Sequence, residues 1–223
     1  MFDQLRRYGF LRLRKTPENE QPKIRLTPSI IVLAGVPVVG KSTVAVGLEQ
    51  RTNLVRLDAD EVRQELYPDS SESPTTEVNT QQMTQAYLTV YERACSALQQ
   101  GLPVVMAFTF RSNYSRQAVQ RIAVEYSVPL HVFHLEAPAL EEIERRIAQG
   151  GRRFASRVNS VEDFLRLSAN FPPLCGEQMH ISHIGSDTSL EEKISHILFA
   201  TQALRLPSEA YLANPVLVNR RRR

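Results

Sequence analysis

The chain has 223 residues, 42% hydrophobic and 23% charged, with a formal net charge of +3. That length suffices for one domain with a sizeable core, and the composition is ordinary for a soluble globular protein. The charge alone is too small to imply a nucleic-acid partner, and no apolar run reaches the ~18 residues that a membrane span needs.

Lys15, Lys23, Lys41 and Lys193 are the lysines among 27 basic residues, so arginine carries nearly all the positive charge. Cys95 and Cys175 form no CxxC or metal spacing, which reads as a reducing, cytoplasmic setting. Residues 1–26 are a basic, partly amphipathic arm. Its opening stretch lacks the apolar core of a secretory signal, and Asp3, Glu18 and Glu20 speak against a transit peptide. Docking on its own domain or on a partner is the preferred reading. A domain follows over 27–204, then an irregular basic tail over 205–223 that ends in NRRRR.

Within 27–204, apolar β-branched runs alternate with helical patterns, the mark of an α/β fold with a parallel sheet. SIIVLAG at 29–35 reads as a buried strand, 40–51 as a helix, and LVRLD at 54–58 as a second strand. The polar stretch 67–77 reads as a loop. Met83, Tyr87, Val90, Ala94 and Leu98 recur at helical spacing, and Gly101 and Pro103 end that helix. PVVMAFTF at 103–110 is the third strand, followed by a helix from about 114 to 126 capped by Ser112 or Asn113. PLHVFHL at 129–135 is the fourth strand. Pro138 opens the next helix, where Glu141–Arg145 and Glu142–Arg146 have the favourable i,i+4 spacing. Ser160 with Asp163 announces a helix near 161–170. QMHISHI at 178–184 is a fifth strand, and a last helix carries Leu190, Ile194, Ile197, Leu198 and Leu204 on one face.

Gly35, Gly40, Lys41 and Ser42 have the GxxxxGK[ST] spacing of a phosphate loop (Walker A), set between a strand and a helix as that motif requires. Gly35, Val36, Pro37, Val38, Val39, Gly40, Lys41, Ser42 and Thr43 surround the place where a nucleoside triphosphate would lie, all but Pro37 with a backbone N–H to offer, and the helix dipole favours its charge. Lys41 would reach the β- and γ-phosphates and Ser42 would offer its hydroxyl to Mg²⁺. Val38 is unusual: that position tends toward positive φ, where a β-branched residue costs ~1–3 kcal/mol. The expectation is weakened binding with Lys41 and Ser42 still in place.

Asp58 and Asp60 follow the second strand, at the end where open α/β sheets place ligands. If 59–66 is helical, Asp60 and Arg63 share a face. Asp60 could take a proton from an acceptor hydroxyl and Arg63 could hold an anion on that acceptor, which suits phosphoryl transfer. A strand-end cap for Asp58 and an ion pair for Asp60–Arg63 are the plainer alternatives.

The segments GVPVVGKST (35–43), LDADEVR (57–63), GLPVVMAFTFRSNYSRQAV (101–119) and VPLHVFHLEAP (128–138) together resemble the small P-loop kinases. That group is related to polynucleotide 5′-hydroxyl kinases, zeta toxins and gluconate kinases, and is often labelled AAA-type ATPase. The resemblance, over about 35–200, implies an adenylate-kinase-like three-layer fold with a five-stranded parallel sheet in the order 2-3-1-4-5. It implies ATP with Mg²⁺ as phosphate donor and a hydroxyl as acceptor, with Lys41 and Ser42 serving the donor and Asp60 and Arg63 the acceptor. The loop 67–77 would flank the acceptor.

Three positions depart from that pattern. Ala107 stands where the third strand carries an acid that orients magnesium or its waters, and Asp58 is the candidate to replace it. Gly150 stands where the lid, here about 150–158, carries an arginine; Arg152, Arg153 and Arg157 lie nearby. Val38 is the third. The reading is therefore an ATP-dependent kinase acting on a hydroxyl-bearing small molecule. A nucleotide-binding regulatory protein of weak or no catalysis, or a polynucleotide 5′-hydroxyl kinase-like protein, are the alternatives. The basic termini are read as solvated in preference to nucleic-acid-binding. His131 and His134, and His180 and His183, are three apart on strands and so face opposite sides, unsuited to chelating a metal within either pair. Phe108, Phe110 and Tyr114 are expected in the core, with lining of the acceptor pocket by one of them as the alternative.

Overall fold

The computed structural model describes residues 23–68, 76–149, 158, 160–174 and 179–203. The lid arginines, Gly150, most of the loop 67–77, the arm up to residue 22, Leu204 and the tail over 205–223 lie outside the described residues.

Five strands form one sheet: β1 (Ile30–Ala34), β2 (Val55–Asp58), β3 (Val104–Ala107), β4 (Leu130–Leu135) and β5 (His180–Ile184). All pair in parallel, in the order β2-β3-β1-β4-β5. This is the expected order. It puts β1 at the centre, buried on both faces, which is why IIVLA is an unbroken apolar run. Burying each large side chain of that run stabilises the fold by about 1.5–3 kcal/mol.

Seven helices cover the sheet among the described residues: α1 (Lys41–Arg51), α2 (Ala59–Leu66), α3 (Thr76–Gln99), α4 (Asn113–Glu125), α5 (Leu140–Ala148), α6 (Val161–Ala169) and α7 (Leu190–Ala203). On one face, Ile30, Val32 and Ala34 of β1 share a core with Val90 and Ala94 of α3 and Val119 and Ile122 of α4. On the other, Ile31 and Leu33 share a core with Val44 and Leu48 of α1 and Ile194 and Ile197 of α7. Leu26 belongs to this second core, and Ile24 pairs with Thr52. None of the described helices is long and apolar enough to cross a membrane.

Three local expectations need correction. The third strand ends at Ala107, because the chain turns out of the sheet and Phe110 takes φ 56°. Tyr114 is 63% exposed on α4, while Phe108 and Phe110 are buried as expected. Arg145 forks onto Glu142 at 2.7 and 2.8 Å, one turn back at i,i+3, and the expected Glu141–Arg145 pair gives way to it. The Glu142–Arg146 pair forms at 2.6 Å.

Candidate functional site

Parallel strands place their C-terminal ends on one edge, and there β1 runs through residues 35–40 into α1. Gly35 has φ 140°, and a Cβ on it would stand 2.7 Å from the Leu135 carbonyl oxygen. Gly40 is the N-cap of α1 with φ 99° and provides no side-chain cap. The first amides of α1 are thus free of side-chain capping and open to an anion. Between the two glycines, Val38 does take positive φ, 74°. Its neighbour Val39 is buried and anchors the loop in the core beneath.

Lys41 folds over this loop and donates Nζ to the Val36 carbonyl at 2.7 Å. Burial pulls its ammonium down to about 8, against the opposing attraction of Asp60 and then Asp58. Both carboxylates therefore lie within electrostatic reach of the loop lysine. Ser42 Oγ donates to Asp58 Oδ2 at 2.8 Å. The other Asp58 oxygen accepts the Asp60 N–H at 2.9 Å, so Asp58 is also the N-cap of α2. The helix expected over 59–66 forms. Arg63 on it is 8% exposed and donates Nη1 to Gln82 of α3 at 3.4 Å.

Beside the loop, between α3 and the segment joining β3 to α4, lies a cavity of about 370 Å³ lined by Tyr87, Thr109, Arg111, Ser112, Asn170 and Pro172. The Thr109 carbonyl is linked to Gly35 N–H at 3.5 Å, which ties this wall to the loop. Arg116 ties the segment that joins β3 to α4 to Pro172, another lining residue. Its guanidinium donates to the carbonyls of Phe110, Pro173 and Pro172 at 3.1, 2.8 and 3.3 Å.

Two features escaped sequence reasoning. His134 and His183 stand in register on β4 and β5, with Nδ1 atoms 3.2 Å apart. The three-residue spacing within each strand says nothing about a partner on the next strand. Glu136 lies 4.0 Å from His183, and His134 stacks on Phe171. Among the described residues no three His, Cys, Asp or Glu side chains gather as a metal site. The second feature is Arg146, which donates Nη1 to the Val38 carbonyl at 3.0 Å. A helical i,i+4 pair with Glu142 was legible, but its reach to the loop was not.

A glycine-bounded loop with its lysine and serine, set on the C-terminal edge of a parallel sheet in this strand order, defines an α/β protein with the P-loop kinase fold. Residues 30–174 match the family model described as an AAA domain, and the chain belongs to that family. Among solved structures, a gluconokinase from Sinorhizobium meliloti 1021 is similar at a TM-score of 0.58 and 17% identity, over 86% of this chain and 100% of that one. A putative kinase from Chloroflexus aurantiacus J-10-fl gives 0.57 and 22%, over 77% and 97%. A sugar kinase from Janibacter sp. HTCC2649 gives 0.56 and 15%, over 80% and 96%. At these identities the likeness establishes the shared fold. No curated protein sequence is similar enough to count as a match.

Proposed function

We propose that this chain binds ATP on residues 35–43 and transfers its γ-phosphate to a hydroxyl of a small molecule held in the adjoining cavity. One observation carries the reading: Lys41 lies in the field of both Asp60 and Asp58 while Ser42 is bonded to Asp58. A lysine ammonium, a hydroxyl and two carboxylates thus gather at one edge of the sheet.

In this reading Lys41 neutralises charge on the β- and γ-phosphates. Asp60 accepts the proton of the acceptor hydroxyl as its oxygen bonds to phosphorus and the bond to the leaving ADP breaks. Arg63, largely buried beside α3, orients an anionic or polar group of the acceptor. Ser42 and Asp58 offer the hard oxygen donors that Mg²⁺ takes, directly or through its waters. When bound, Mg²⁺ neutralises and orients the phosphate oxygens.

The test is incubation with ATP, Mg²⁺ and a panel of sugars, nucleosides and 5′-hydroxyl oligonucleotides. Phosphate transfer above a Lys41→Ala control is expected; neither transfer nor ATP turnover above that control removes the proposal. Ala107, at the end of β3, favours a second reading, a regulatory protein that binds nucleotide with little turnover. Calorimetry showing ATP affinity without transfer to any acceptor would select it.

A further inference from the structure

We propose that Arg146, oriented by Glu142, is a positioning residue that keeps the phosphate loop in its anion-binding shape around the β-branched corner at Val38. This rests on the reading that residues 35–43 hold a triphosphate. Val38 has φ 74°, a conformation that glycine adopts freely and a β-branched residue does not. Its carbonyl accepts Arg146 Nη1 at 3.0 Å. The same guanidinium donates Nε to Glu142 at 2.6 Å. Its Nη1 also lies 3.9 Å from where a Cβ on Gly40, another positive-φ residue of the loop, would stand.

The chemistry suits arginine specifically. A planar fork can satisfy two acceptors at fixed angles, which a single ammonium cannot do in the same geometry. Glu142 stays a carboxylate, because its bonds to Arg145 and then Arg146 hold it down at about 2. The peptide after Val38 is planar and trans, so its C=O and the Val39 N–H point in opposite directions. Holding the carbonyl toward α5 directs that N–H away from α5, into the loop. Without the clamp, the strained residue can relax by rotating this peptide, and one donor of the nest is lost.

The fold uses the same device a second time. Among the described residues Phe110 is the other bulky one at positive φ, and its carbonyl is held by Arg116 Nε at 3.1 Å. Ser127, the remaining non-glycine residue at positive φ among the described residues, follows α4, and backbone bonds from Ser127 and Val128 to Val124 and Ala123 close that helix end.

The experiment is a double-mutant cycle between positions 146 and 38, read in two ways. Calorimetric binding of ATP with Mg²⁺ is expected to weaken about tenfold or more in Arg146→Ala, but less than about threefold when Val38→Gly is also present. Arg146→Lys should behave like Arg146→Ala, since charge alone does not bridge Glu142 and Val38. In the ligand-free proteins, amide exchange at Val39 and Gly40 should speed up about tenfold in Arg146→Ala and change little when Val38→Gly is also present. Equal effects in both backgrounds, full rescue by lysine, or unchanged exchange in Arg146→Ala each overturn the proposal. If the unmodified chain ignores ATP while exchange follows the pattern above, the clamp stands and the nucleotide reading fails.

Discussion

Asp58 and Ala107 stand in register on neighbouring strands, and Asp58 is bonded to Ser42 at 2.8 Å. The carboxylate therefore occupies the strand beside the place where the resemblance leads one to expect an acid. Asp58→Asn keeps a side-chain oxygen for the Asp60 N–H, so the cap of α2 should survive at a cost under about 1 kcal/mol. It removes the charge that would face Mg²⁺. The expected outcome is that the gain in ATP affinity on adding Mg²⁺ falls by about tenfold, or ~1.4 kcal/mol, with metal-free affinity little changed. Calorimetry with and without Mg²⁺ checks this; an unchanged metal increment would exclude Asp58 from that role. Adding Ala107→Asp to the Asp58→Asn variant should restore part of the loss.

Gly35 separates β1 from the loop where the backbone passes close to β4. A Cβ there meets the Leu135 carbonyl at 2.7 Å, and backbone cannot yield as a side-chain tip can. The positive φ adds its own penalty. Gly35→Ala is expected to destabilise the chain by about 2–4 kcal/mol, as overpacking and strain combine. A urea unfolding midpoint within error of the parent would show that β1 and β4 separate more easily than their pairing suggests.

Arg116 is 7% exposed and carries the contacts between the cavity wall at residues 172–173 and the turn at Phe110. Arg116→Ala leaves three carbonyls without that donor and frees a bulky residue from its positive φ. The expected cost is about 2–4 kcal/mol in urea unfolding. Loss of acceptor-dependent turnover should accompany it if the cavity of Tyr87, Thr109 and Asn170 is the acceptor site.

Legibility followed sequence distance. The strand–loop–helix at 30–51, the Ser160–Asp163 cap and the helix over 59–66 are written in short windows, and the structure contains each. Val38 could be read as strained because loop geometry demands positive φ whatever the side chain. The end of the third strand could not be read: FTF continues an apolar pattern, and only the tertiary role of Phe110 shows that the backbone has turned. Tyr114 looked like core for the same reason, although the face of α4 that meets the sheet carries Val119 and Ile122. Contacts between distant segments, such as Arg146 with Val38 and His134 with His183, depend on sheet order and register, which single-strand spacing does not contain.

That histidine pair predicts a pH dependence. Burial, then the charge of His183, and more weakly Lys41 push the His134 pKa down, while Glu136 pulls it up. Phe171, stacked on the ring, adds an uncharged wall. A folded-state pKa below the unfolded one means that the unfolded chain binds more protons as pH falls. The contribution of neutral His134 is then complete above the ordinary imidazole value of about 6.5 and is lost as pH drops below it. Urea midpoints taken from pH 7.5 to 5 should decline across that window more steeply in the parent than in His183→Gln, which removes the like charge 3.2 Å away. The neutral variant gives up one hydrogen bond at pH 7.5, so the two curves should converge toward pH 5. Parallel curves would show that His183 does not contribute to the lowered pKa of His134.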